Sequence, residues 1–167
     1  MRWLPILLLL TGCITTNNTT VTRSSSRDTD LPLYYIDSEL VMYLASFKIE
    51  AHKQNYLVSS MPVTLIFGKS ATREYPTSIG VCSVTNGKLL IKIDRKYYFK
   101  SDVSHREELV FHELAHCLAD REHCDYIDPS TNRNISLMST SMREEDDYKG
   151  HRDEYLKELF HIDGRCK

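Results

Sequence analysis

Glu107-Glu108-Leu109-Val110-Phe111-His112-Glu113-Leu114-Ala115-His116-Cys117-Leu118-Ala119-Asp120 is the stretch that decides the reading of this chain. His112 and His116 are four residues apart, so on a helix they share one face a turn apart and can close two adjacent corners of a tetrahedral zinc site. Glu113, about 100° further round, can reach a metal-bound water and take its proton. The helix has a start signal upstream, since Ser104-His105-Arg106-Glu107 has the form of a capping box. The bland alternative is a solvated helix with two exposed histidines; the caps and apolar flanks argue against it. A third ligand is available in His123, seven residues beyond His116. On a straight helix that residue would lie roughly 10 Å further along the axis, so the chain must turn back after about Leu118. The rivals are Asp120, one turn past His116, and a carboxylate on a later helix: Glu144, Glu145, Glu154 or Glu158.

Outward from this stretch, composition sets the limits. The chain has 167 residues, 41% hydrophobic and 26% charged, with a net charge of −2. That suits one globular domain with its own core. With 21 basic against 23 acidic residues and no basic block, a nucleic-acid partner is not expected. Residues 1–12 carry Arg2, an apolar run from Trp3 to Leu10 and then small residues, which is the form of an export signal too short to span a bilayer of roughly 20 residues. Leu10-Thr11-Gly12-Cys13 resembles the lipobox of bacterial lipoproteins. That resemblance implies cleavage before Cys13, a lipid on its sulfur and an envelope location, with Ile14 after the cysteine favouring the outer membrane of a Gram-negative host. Residues 13–30 are rich in Thr, Ser and Asn and read as a flexible tether. The folded unit is then 31–167, expected to act as a monomer.

Within that unit the predicted elements are few. Asp37 is placed to cap a helix carrying Leu40, Val41, Leu44 and Phe47 at helical spacing and ending before Asn55. Pro62 to Phe67 is a β-branched and aromatic run closed by Gly68, hence a strand. Ile79–Val84 and Lys88–Asp94 flank Thr85-Asn86-Gly87, a hairpin signal. Leu89, Ile91 and Ile93 alternate with Leu90, Lys92 and Asp94, as on an edge strand with one wet face.

The helix, the bend and the third histidine resemble the metzincin metallopeptidases. More narrowly, His112-Glu113-Leu114-Ala115-His116-Cys117-Leu118-Ala119-Asp120-Arg121-Glu122-His123 is similar to a motif of small bacterial lipoproteins, His-Glu-Leu-Gly-His-Cys-x-Leu-x-Arg-x-His. The similarity spans about Ile79 to Phe160. It takes in the cysteine-bearing hairpin at Gly80-Val81-Cys82, a methionine turn at Ser136-Leu137-Met138 and a closing helix at Tyr155–Phe160. The resemblance implies an α+β zincin domain with a small twisted sheet, an active-site helix, a methionine turn and a C-terminal helix. It implies one Zn²⁺ held by His112, His116 and His123, Glu113 as general base, Met138 packed beneath the ligands, and a peptide or protein substrate lying along an edge strand, for which Lys88–Asp94 is the candidate. The chain departs from the metzincin pattern in having Leu118-Ala119-Asp120 where a glycine usually makes the bend. The spacer before the third histidine is also six residues rather than five, as in the narrower group. No tyrosine ligand follows the methionine turn, although Tyr148 could reach a substrate.

Apart from Cys13, four cysteines remain: Cys82, Cys117, Cys124 and Cys166. An even number in an exported chain suggests two disulfides, with three possible connectivities. The alternative gives Cys117 and Cys124, each beside a candidate ligand, a part in metal binding. Cys82 and Cys117 occur together in the pattern the chain resembles, which favours a bridge between them and leaves Cys124 for Cys166. His52, His105, His151 and His161 read as surface residues, Arg121 and Asp94 as turn charges that could orient site groups, and Asp125 and Asp128 as a polar loop. Two other functions stay open beside the peptidase: an inactive zincin scaffold serving as a binding module, and a hydrolase of cell-wall peptide crosslinks.

Overall fold

Alternation along Lys88–Ile93 sinks Leu89, Ile91 and Ile93 into the core, where each is at most 2% exposed. Around this strand the computed structural model, which describes residues 34–70, 76–85, 87–161, 164 and 166, builds a mixed α+β fold. The leader, Cys13 and the tether expected over 1–30 lie outside the described residues, as does Asn86 of the hairpin turn. In chain order the elements are β1 (Tyr35–Ile36), a 3-10 turn (Ser38–Leu40), α1 (Val41–Lys53), β2 (Val63–Phe67), β3 (Gly80–Thr85) and β4 (Lys88–Ile93). There follow α2 (Arg95–Lys100), α3 (Val103–Leu118), β5 (Ile127–Asp128), β6 (Arg133–Asn134) and α4 (Glu145–Phe160), the last kinked at His151.

The sheet order is β1-β2-β4-β3, with β1 and β4 parallel to β2 and β3 antiparallel to β4. Thr85 faces Lys88 across the hairpin, and Gly87 supplies the positive φ, +71°, that a two-residue turn requires. One expectation is corrected here. Lys88–Asp94 is not an edge: β4 is flanked by β2 and β3, and Leu90 and Lys92 are half-buried rather than wet. Alternation identifies which face of a strand is buried but says nothing about its neighbours. The edge beside the helices is β3.

Helix α3 packs on β3 and β4, and α1 and α4 pack on α3. Phe47 of α1 meets Phe111 of α3 and Phe160 of α4 edge to face at 5.3 and 5.2 Å, joining the three helices in one core. The caps differ from those predicted. Asp102, not Ser104, caps α3, its Oδ1 accepting from the N–H of Ser104 at 2.7 Å and of His105 at 3.0 Å. The helix therefore begins at Val103, and Glu107 is free of capping; it accepts instead from Tyr148 Oη at 3.0 Å and Arg152 Nε at 2.6 Å. Burial alone would raise the Asp102 carboxyl, but the N–H groups of His105 and Ser104 and the His105 ring hold it down at about 2. His105, half-buried rather than on the surface, packs its Nδ1 on Asp102 and its Nε2 on the Arg143 carbonyl. Burial opposes its charge, yet these partners raise its pKa. Asp37 likewise makes no cap; its Oδ2 accepts from the Phe67 N–H at 2.6 Å, tying the first helix to the end of β2.

Two disulfides cross the domain, Cys82–Cys117 and Cys124–Cys166, with Cα–Cα distances of 5.7 and 5.4 Å. They are the two pairs the resemblance implies, and they leave neither Cys117 nor Cys124 free to bind metal. Such bridges suggest an oxidising, exported environment. Among the described residues no helix is long and apolar enough to cross a membrane.

Candidate metal centre

The caps and the apolar face of α3 fix its rotation against β3, so His112, Glu113 and His116 all line one cavity of about 760 Å³. His123 enters the same cavity from outside the helix. After Leu118 the chain turns back at Asp120, which sits in the left-handed region at φ +51°; Asp tolerates this conformation better than most side chains. This is the bend for which the resemblance leads one to expect a glycine. Asp120 is itself exposed and outside the histidine cluster, so the structure gives it a turn and not a ligand position.

The three imidazoles converge through their Nε2 atoms. His116 lies 3.0 Å from His112, and His123 lies 3.2 Å from each. The opposite nitrogens settle what these atoms are. His112 Nδ1 faces the Leu137 carbonyl at 3.0 Å and His116 Nδ1 faces the Arg121 carbonyl at 2.5 Å, so both Nδ1 atoms carry the proton and both Nε2 atoms present lone pairs. Two lone pairs at 3.0 Å repel unless a cation stands between them. Protonation is a poor remedy: burial, then the neighbouring histidines, pushes His112 down to about 3, and burial lowers His116 as well. Tetrahedral zinc with N ligands at 2.0–2.1 Å would separate them by about 3.3 Å, close to what is found. The donor set therefore fits a borderline divalent cation such as zinc.

The segments around the three histidines are tied down from several sides. Met138 is fully buried in a turn closed by the Ser139 N–H on the Ser136 carbonyl, and its own carbonyl accepts from the Cys124 N–H at 2.8 Å. Asp125 grips the far wall, accepting from Ser139 Oγ at 3.0 Å and from the Thr140 N–H at 2.8 Å. Arg121, expected at a surface turn, is fully buried. It donates to the Leu159 carbonyl at 2.5 Å and to Glu158 Oε1 at 2.5 Å.

That pair occupies Glu158, one of the rival ligands. Glu154 pairs with Arg133 and Glu145 with Lys149, and neither they nor Glu144 belong to the cluster. Tyr148 is buried against Glu107, away from the cavity. Asp94 caps α2 through the Tyr97 N–H. Arg121 coincides with the Arg of the lipoprotein motif, but nothing in that motif says that the side chain is buried.

Glu113 is 6% exposed. Burial drives its carboxyl up to about 8, with the Cys82 backbone N–H opposing. Gly80, in the expected cysteine-bearing hairpin and at the start of β3, reaches the site as well. A Cβ there would lie 2.6 Å from Glu113 Cγ and 2.7 Å from Cδ. A glycine inside a strand is the signal for such a close approach. No protein-family model matches the chain, and no curated protein or solved structure matches it.

Proposed function

We propose that this protein is a zinc-dependent peptidase anchored to the cell envelope by a lipid on Cys13. The observation that carries the reading is the meeting of three imidazole nitrogens with a buried carboxylate in one cavity. His112, His116 and His123 would hold the ion. When bound, zinc supplies Lewis acidity, polarising a carbonyl and lowering the pKa of water. Glu113 is the proton carrier. A cation nearby favours its carboxylate against the burial that opposes it, so it takes a proton from the attacking water and passes it to the leaving amine. The exposed edge of β3 borders the same cavity, and an extended peptide can add to it through main-chain hydrogen bonds. Inner strand β4, expected to carry this role, has no free edge to offer. The lipobox-like Leu10–Cys13 and the two disulfides support export and anchoring.

The test is cleavage of an unfolded protein and of purified cell-wall peptide by the wild type and by Glu113→Gln. The variant should keep about one zinc per chain and lose roughly 100- to 10,000-fold in kcat. Equal cleavage by both would sink the reading. Full zinc with no cleavage of either substrate would favour a binding module, and cleavage of wall peptide alone would identify a crosslink hydrolase.

A further inference from the structure

Glycine 80 is buried and makes an ordinary antiparallel pair with Ile93, with no positive φ that would call for a glycine. What excludes a side chain there is Glu113. On α3, Glu113 and Cys117 are four residues apart and face β3 together, separated by about 6 Å along the helix. On β3, Gly80 and Cys82 are two apart, share one face and are separated by nearly 7 Å. The two spacings match. Cys117 is bonded to Cys82, and the Glu113 side chain lies against Gly80.

We infer that Gly80 is a positioning residue for the general base: with the Cys82–Cys117 bridge it keys β3 to α3 and fixes where the Glu113 carboxylate sits. This rests on the peptidase reading for its consequence, but the contact itself does not. One strand then does two things, since β3 both sets the base and offers its edge to the substrate.

A double-mutant cycle in the full-length, disulfide-bonded protein separates the two. Thermal unfolding in a chelator compares wild type, Gly80→Ala, Glu113→Ala and the double variant. An alanine in a strand is otherwise neutral or stabilising. Against Glu113 it should lower Tm by roughly 4–10 °C, through overpacking. In the Glu113→Ala background the same change should cost nothing. An equal loss in both backgrounds, or none in either, overturns the inference. If Gly80→Ala does not fold, folding of the double variant supports the contact and its failure to fold overturns it.

With zinc restored, Gly80→Ala should bind one ion and keep its KM, with kcat down roughly 10- to 100-fold. Unchanged kcat would overturn the positioning role. A wild type that binds zinc and cleaves nothing would end the peptidase reading while leaving the stability cycle to decide the contact.

Discussion

The two halves of the histidine cluster are built by different means. His112 and His116 come from consecutive turns of α3, and helix geometry alone brings them together. His123 lies on a non-helical segment, and four attachments from distant parts of the chain place it: the Cys124 N–H on Met138, Asp125 on residues 139 and 140, the bridge to Cys166, and Arg121 on α4. A site needs only local order for its first two ligands and the whole fold for its third. The helix half is therefore readable from a few residues, and the loop half depends on contacts 14 to 42 residues away.

Removing Arg121 should break the loop half most severely. Arg121→Met leaves the Glu158 carboxylate, 9% exposed, without its cation, and loss of one partner of such a pair costs about 3–5 kcal/mol. Urea unfolding should record that loss, and zinc affinity should fall as the segment bearing His123 loosens. An affinity equal to wild type would mean that Arg121 serves α4 alone.

The two bridges sharpen the comparison, because they enclose similar stretches of chain, 35 and 42 residues. Cys82→Ala/Cys117→Ala and Cys124→Ala/Cys166→Ala should each cost about 3–4 kcal/mol in urea. Only the second pair should weaken zinc binding, roughly 10- to 100-fold by titration, since it alone steadies the third ligand.

The smallest effect belongs to the start of α3. Asp102→Ala should cost about 1 kcal/mol and leave zinc affinity unchanged. The pH profile carries its sign. His105, raised above its ordinary 6.5, contributes fully below that pH, and its contribution is lost as pH rises through the folded value. Asp102, lowered from 3.8 to about 2, contributes above 3.8 and loses its contribution as pH falls through about 2. The pair is therefore strongest between about pH 4 and 6.5, and the urea midpoint should decline above that window. In His105→Gln the alkaline decline should disappear; its persistence would assign the titration elsewhere.

What the sequence revealed follows the same division. The histidine spacing, the hairpin and the turn back after Leu118 are local and were legible. The position of β4 inside the sheet was not, because its alternation reports the buried face and not the strand beside it. The capping of α3 was misread because Ser104 and Glu107 satisfy the local rule, while Asp102, two residues earlier, makes the bonds. Glu107 was drawn instead to Tyr148 and Arg152, 41 and 45 residues away. Gly80 stands in a predicted strand, but nothing in sequence says that its close neighbour is Glu113.

The Cys124–Cys166 bridge also imposes an order in time. Its two cysteines are 42 residues apart and join only where the surroundings oxidise thiols, so in an exported chain an interval separates arrival in that compartment from closure of the bridge. During that interval the helix with its two histidines can already be folded, while the third ligand has no lasting tether. Closure of the bridge is thus the step that turns two locally ordered imidazoles into a fixed set of three.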